Sequence, residues 1–553
     1  MRKSFSVPRA RRPDSGQPWY RAHWYRAHWY RVHWYRVHWY RVHWAALLSA
    51  GLSLACSSEK PPVQRPAQTP HAVAPAVTSN SATWRSAESA QRVAGAELAT
   101  VLPLTSDDLP HESGVTGPVL NRDLLNLRYQ AQVRILGPND YLEDAEGRPP
   151  AASPTPDRQG PNGYQLGRFV PIQNERALIP FHERLERLAT GRDRDGKVRV
   201  LVYGASHTQG DVFTSYLRYY LQSRFGNGGV GFVPLAKLNA WHRLLGFTIE
   251  EEGFKLQHSQ RNYPEHGYLG LLGAASIGHA RDAKVRITPK NQTDPELAAS
   301  EYELSYGADK GAGDLILLVN DVPQMQLLGK ANTIEDRFFR FRMTPGWHDI
   351  QVRPAGNGPA RVYGVTIERP EPGVVIDTLG IGGARAASIL DWNEGAWAAQ
   401  VKHRDPALYI LAFGTNEAVA AKESDDVYRA KLEQVLERFE RALPGVSCLL
   451  VGPFDFPVET PQGYIPRTRL LEIIASQREI AAKHGCGFWD GYEFMGGTGS
   501  MHQWVLASPP LASPDHIHLN HRGYVRFGMS LADALMRAYD AYHLKVRDWA
   551  ESH

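Results

Sequence analysis

Cysteine is scarce: Cys56, Cys448 and Cys486 are all that 553 residues contain, which excludes the multi-bridge framework of a small secreted domain. Charge of one sign is not in excess either. The net charge is +4, and the basic surplus sits in the first 50 residues, where ten Lys or Arg meet one Asp; the other 503 residues hold 52 basic against 57 acidic. A body so balanced carries no global attraction for nucleic acid, and none is expected as a partner. Beyond the N-terminal region no run of eighteen apolar residues occurs, so nothing in the body reads as a membrane span. Length, by contrast, is ample for two or three domains with a sizeable core.

What is there begins oddly. From Trp19 to His43 the unit Trp-Tyr-Arg-x-His recurs every five residues, a period that keeps one face apolar neither as helix nor as strand. A basic aromatic arm for membranes is one reading; a translated tandem repeat ahead of the true start is the blander one and is preferred, and the segment is set aside from fold reasoning. "AALLSAGLSLAC" follows, a short apolar run ending at Ala55-Cys56. Basic residues, an apolar core and a small residue before the cut predict export. The Cys at the cut resembles a bacterial lipoprotein signal, although Ser53 and Leu54 depart from its usual order. The resemblance implies a membrane anchor through lipidated Cys56 and a place in the periplasm or cell envelope. Residues 1–56 are therefore assigned to repeat and signal, and 57–165, rich in Pro and Ala, to a largely disordered tether.

From residue 166 two grammars alternate. Strand-like "VRVLVY" (198–203) runs into a helical pattern starting near Thr208, with Val212, Phe213, Tyr216, Leu217, Tyr220 and Leu221 on one face. The same alternation resumes with "VVIDTLG", "ALYILAFG", "VSCLLVGP" and "GFWD", each followed by an amphipathic run. Apolar strands between helices predict a parallel sheet covered on both faces, built from 166–239 and 371–553. Residues 240–370 break the pattern. "AKVRITP", "EYELSYG", "DLILLVNDVPQMQLL", "RFFRFRM", "HDIQVRPAG" and "ARVYGVTIE" are short strands with turns between them and no helix, which predicts an inserted β-sandwich or jelly roll. Its aromatics Trp241, Tyr263, Tyr268 and Trp347 suit either stacking on sugar rings or a sandwich core. Cys448 and Cys486 both fall in apolar strand-like runs, where buried thiols and a bridge fit equally.

In an open parallel sheet, function collects beyond the carboxyl ends of the strands. Ser206 follows the first strand in "GASHTQGD", Gly382 and Gly383 the second in "GIGGA", Asn416 the third in "AFGTNE", and Asp515 and His518 stand three apart in "DHIHLN". Such parts suffice for acyl transfer. A serine hydroxyl needs a base, which His518 can supply, and Asp515 can orient the imidazole and stabilise its charged form. The Ser206 and Gly383 N–H groups and the Asn416 amide can receive the oxyanion. Singly these features are common, since a Ser after a strand is often only an N-cap. Their order on successive strand ends carries the weight.

That order resembles the SGNH, or GDSL-type, hydrolase superfamily, and within it the bacterial peptidoglycan O-acetylesterases, whose hydrolase domain is interrupted by a carbohydrate-binding-like β module. The resemblance covers about 198–232 and 374–540. It implies a flavodoxin-like α/β fold with helices on both faces and the inserted β domain. It further implies a serine esterase removing O-acetyl groups from a cell-envelope glycan, with Ser206, His518 and Asp515 as triad and Ser206, Gly383 and Asn416 as oxyanion hole, and with no cofactor or metal. Ala205 stands where the family usually has Asp, and Gly382 where relatives often have Asn. Three rivals remain. His516, His518, His521 and Asp515 offer zinc ligands, with His at i and i+2; an SGNH-type O-acyltransferase would use the same triad; and a non-catalytic envelope lipoprotein would bind glycan through the insert alone. The insert is expected to supply substrate choice rather than chemistry.

Overall fold

A computed structural model describes residues 169–552 apart from 240, 241, 243, 245, 265, 421 and 422. The N-terminal repeat, the signal-like segment with Cys56, the tether and Trp241 lie outside the described residues. Helix α1 (Ile179–Ala189) leads into strand β1 (Lys197–Gly204), a single helical turn α2 (Ser206–Gln209), helix α3 (Val212–Phe225) and strand β2 (Gly229–Pro234). Ten strands follow: β3 (Phe247–Glu252), β4 (Phe254–His258), β5 (Ala274–Gly278), β6 (Lys284–Pro289), β7 (Ala299–Ala308), β8 (Leu315–Val319), β9 (Val322–Leu327), β10 (Glu335–Gly346), β11 (Ile350–Pro354) and β12 (Ala360–Glu368). Alternation returns with β13 (Gly373–Gly380), α4 (Glu394–Arg404), β14 (Pro406–Ala412), α5 (Thr415–Ala418), α6 (Asp425–Ala442) and β15 (Ser447–Val451). The hairpin β16 (Val458–Thr460) and β17 (Gly463–Ile465) precedes α7 (Thr468–Lys483), β18 (Gly487–Trp489), α8 (Gly491–Met495), α9 (Ser500–Leu506) and α10 (His521–Ser552).

Five strands form a parallel sheet in the order β13-β1-β14-β15-β18. Alternate residues of β1 feed two cores, as a pleated strand dictates. Val198, Val200 and Val202 join Leu185, Phe213, Leu217 and Val525 from α1, α3 and α10. Leu201 and Tyr203 face Trp397, Leu436, Phe439 and Ile474 from α4, α6 and α7. The chain lays β13 to one side of β1 and β14 to the other, so the winding reverses at β1, and the crevice beyond that reversal is where such sheets bind ligands. A disulfide joins Cys448 on β15 to Cys486 just ahead of β18, with Cα atoms 4.9 Å apart, resolving the alternative left open by the sequence.

The helix expected near Thr208 starts two residues earlier and comes in two pieces. Asp211 takes a left-handed φ of 52°, which stops α2 after one turn and lets α3 restart in a new direction.

The ten-strand segment is a sandwich of two antiparallel sheets. One runs β10-β7-β12-β5-β4, with β2 also paired to β12; the other runs β3-β6-β11-β8-β9. Val285, Ile287, Leu317, Ile350 and Val352 of one sheet pack on Tyr302, Leu304, Val362, Val365 and Ile367 of the other. The Asn320-Asp321 turn between β8 and β9 has both residues at positive φ, 50° and 63°, as a two-residue hairpin loop requires. Strands β2, β3, β4 and β5 are additional to those legible in the sequence, and β2, in the stretch expected to build the parallel sheet, pairs with the sandwich instead. Trp347, partly buried, packs against the sandwich core, its indole N–H donating to Asp294 O at 2.9 Å, and Tyr268 is half-buried against His266.

Sandwich and parallel sheet are built into one another. Leu269, Leu271 and Leu272 sit in the same cluster as Tyr203 and Leu379, and the Tyr203 hydroxyl donates to Leu271 O at 2.9 Å. Arg404 of α4 donates to both Asp377 oxygens (2.8 and 3.0 Å) and to Glu368 at the end of β12 (2.9 Å). Arg199 of β1 makes two bonds of 3.0 Å to the same Glu368. Burial alone would raise the Glu368 carboxyl, but the two guanidiniums outweigh it and hold it far below the usual carboxylate range.

Candidate active site

The site is assembled at the carboxyl ends of β1, β13 and β14. At Gly204 the last residue of β1 must be glycine: a Cβ there would meet Thr208 Oγ1 at 2.0 Å and Ala412 O at 2.9 Å. That closeness lets α2 fold straight back on the strand and leaves Ser206, half-buried, at the first position of the turn. Ala205, the departure from the family pattern, is buried in the apolar cluster below. Asp211 fixes the next corner. Its carboxylate accepts from Thr214 Oγ1 and Thr378 Oγ1, each at 2.8 Å, tying the start of α3 to β13.

The loop ahead of α10 brings its residues to Ser206 from 312 positions away. His518 Nε2 lies 3.0 Å from Ser206 Oγ, and His518 Nδ1 lies 2.7 Å from Asp515 Oδ2. An ionised carboxylate only accepts, so Nδ1 carries the proton and Nε2 presents its lone pair to the serine. The loop is held from within. Asp515 Oδ1 accepts from the Ile517 and His518 N–H groups at 3.0 and 2.9 Å, and Ser513 N–H donates to His518 O at 2.7 Å. Burial would raise the Asp515 carboxyl, but the His518 ring and those two backbone donors outweigh it and keep it well below the usual carboxylate range. Both side chains remain open to solvent, His518 by 37% and Asp515 by 46%.

His207, beside the serine, received no role from the sequence. Its Nδ1 lies 2.8 Å from the Tyr524 hydroxyl and its ring 5.4 Å from that of His518. Burial first, and then the charge of His518, push it down to about 3, so it stays neutral and adds no positive charge beside His518.

Gly383 takes φ +81°, a conformation that favours glycine. The neighbouring Gly382 N–H donates to Gln209 Oε1, whereas no described protein group accepts from the Gly383 N–H. Asn416, first turn of α5, donates through Nδ2 to Ala384 O at 2.8 Å, which docks it on the Gly383 loop with its second amide hydrogen uncommitted. Glu417 locks the same corner. One carboxyl oxygen accepts from Ala386 N–H (2.8 Å) and the other from Gly414 N–H (3.0 Å); burial raises its pKa despite these donors. Asp211, Glu417 and Gln209 all lie inside the quoted motifs, yet only their partners in the fold reveal their work.

The histidines proposed as a zinc set part company. His518 addresses Ser206, while His516 turns away, its Nδ1 donating to Pro514 O at 3.0 Å and its Nε2 meeting His502 Nδ1 at 2.9 Å, with Tyr464 stacked on its ring. Among the described residues no three His, Cys, Asp or Glu side chains converge as a metal set.

Residues 343–526 match the family described as GDSL-like lipase/acylhydrolase, a span that holds Gly383, Asn416, Asp515 and His518 but not Ser206, which the fold returns from ahead of the insert. The chain carries a GDSL-like acylhydrolase domain of SGNH fold and is a carboxylic ester hydrolase. A solved peptidoglycan O-acetylesterase is 24% identical, the match covering 66% of this chain and 96% of that one with a TM-score of 0.56; the two share the fold. A lipase/acylhydrolase from Enterococcus faecalis (19% identity, 29% of this chain and 74% of that one, TM-score 0.23) and an acetyl xylan esterase (16%, 30% and 80%, 0.23) are more distant. No curated protein matches the sequence.

Proposed function

We propose that the protein is a serine esterase that removes O-acetyl groups from a cell-envelope polysaccharide, peptidoglycan first among them. The observation that carries the chemistry is the relay Ser206–His518–Asp515, with contacts of 3.0 and 2.7 Å. Ser206 Oγ attacks the acetyl carbonyl while its proton passes to His518 Nε2, and Asp515 stabilises the imidazolium so formed. The tetrahedral oxyanion is received by the Ser206 and Gly383 N–H groups and the Asn416 amide. The imidazolium returns the proton to the departing sugar oxygen, which leaves an acetyl-enzyme. Water, deprotonated by the same imidazole, releases acetate and restores the serine.

The substrate reading rests on separate grounds. A structural relative that shares the fold over 66% of this chain is a peptidoglycan O-acetylesterase. The Cys448–Cys486 disulfide supports an oxidising compartment, as an exported lipoprotein anchored through Cys56 would occupy. An ester screen tests the reading. Wild type should release acetate from O-acetylated peptidoglycan and Ser206→Ala should not; preference for acyl chains of about eight carbons or more, with no acetate from any glycan, overturns the substrate.

A further inference from the structure

We propose that Gln260, on the turn after β4 of the sandwich, is a substrate-binding residue of the hydrolase site, its carboxamide placed to hydrogen-bond the polar substituents of the sugar bearing the ester. The inference rests on the glycan-ester reading above.

Its basis is a meeting of the two domains at Gly383. A Cβ built on Gly383 would come within 3.2 Å of Gln260 Oε1, 3.8 Å of Nε2 and 3.9 Å of Cδ. The carboxamide of an insert residue thus stands against the glycine assigned to the oxyanion hole. The turn that delivers it is rigid. His258 and Arg261 exchange two backbone hydrogen bonds of 2.9 and 3.0 Å, Gln260 N–H donates to His258 Nδ1 at 3.3 Å, and Asn262 Nδ2 donates to Leu256 O at 3.0 Å. Yet Gln260 is itself exposed, and no described protein group hydrogen-bonds its carboxamide. An uncommitted polar side chain carried on a fixed turn beside the site is suited to a ligand contact.

Behind it the Gly382 side of the loop is held by groups already paired: buried Gln209 takes the Gly382 N–H on Oε1 and donates through Nε2 to Asn239 Oδ1 at 2.9 Å. The Gln260 carboxamide both donates and accepts without charge, which matches sugar hydroxyl and acetamido groups. An alkyl chain laid against it would leave it without a partner. Three residues beyond Gln260, Tyr263 is 44% exposed while its hydroxyl is tied to Asp391 O, a placement suited to stacking on a sugar ring.

The test compares two acetyl esters, an O-acetylated methyl N-acetylhexosaminide and p-nitrophenyl acetate, on wild type, Gln260→Ala and Gln260→Met. The ratio of kcat/KM for the sugar ester to that for the aryl ester should fall about three- to tenfold in both variants, the worth of one neutral hydrogen bond. The loss should lie in KM, and the Met variant, of equal length, should not recover it. An unchanged ratio, or an equal loss on both esters, overturns this inference while leaving the esterase reading intact. A wild type that cleaves the aryl ester but no sugar ester overturns the glycan reading, and this inference with it.

Discussion

At the scale of single residues the site divides labour between groups that must change charge and groups that must not. Asp515, held low by the His518 ring and two backbone donors, stays ionised throughout the working range, and His207, pushed down by burial, stays neutral. Only neutral imidazole accepts a serine proton, so activity should rise with pH from acidic to neutral solution. A rate–pH profile checks this, and a flat one argues against a histidine base. Asn416→Ala should lower kcat about 10²- to 10³-fold with little change in KM; a change confined to KM would make Asn416 a positioning residue. The principal groups were legible because each stands just past an apolar strand or in the terminal His-containing motif. Gln209 was not, since its partner Gly382 is 173 residues away, and neither was Gln260, whose approach to Gly383 depends on how the insert seats.

At the scale of elements, short loops rather than long helices hold the geometry. Asp455, beyond β15, accepts from Met501 N–H at 3.0 Å and so anchors the first turn of α9. Burial pushes its pKa up to about 6. A carboxyl raised on folding contributes stability that is fully present below its unfolded value, near 4, and is lost as pH rises through about 6. Denaturant titrations should show this loss, on the order of 2–3 kcal/mol, and Asp455→Asn should remove that pH slope. If the variant keeps the slope, another group causes it. The elements themselves were readable where both faces of a strand are apolar, as in β1, β13 and β14. They were not where "FTIEEE" carries three carboxylates or "AASIG" offers small side chains, because β3 and β5 gain their burial from partners across the sandwich.

At the scale of the whole molecule, the insert is not an appendage. It shares an apolar cluster with the parallel sheet, extends its antiparallel sheet through β2, and closes on α4 through Arg404, Asp377 and Glu368. The composition shift at 240–370 revealed that a β domain interrupts the sheet; it could not reveal how much interface the two share, since those contacts lie between residues far apart in sequence. Arg404→Ala leaves Asp377 buried without its guanidinium, a loss of about 3–5 kcal/mol in such settings. Urea unfolding of the variant should show that loss in one transition common to both parts. Two separate transitions, with only the sandwich affected, would show the parts to be energetically independent.

The fold's main consequence is that a serine after the first strand and a histidine 312 residues later form one hydrogen-bonded pair. Covalent capture reads this directly. A serine-reactive phosphonate, followed by peptide mapping, should place one adduct per chain on Ser206. His518→Ala should slow the capture by several powers of ten, and Ser206→Ala should abolish both adduct and esterase activity. An adduct on another residue, or a Ser206→Ala protein within a few-fold of wild-type turnover, would contradict the account.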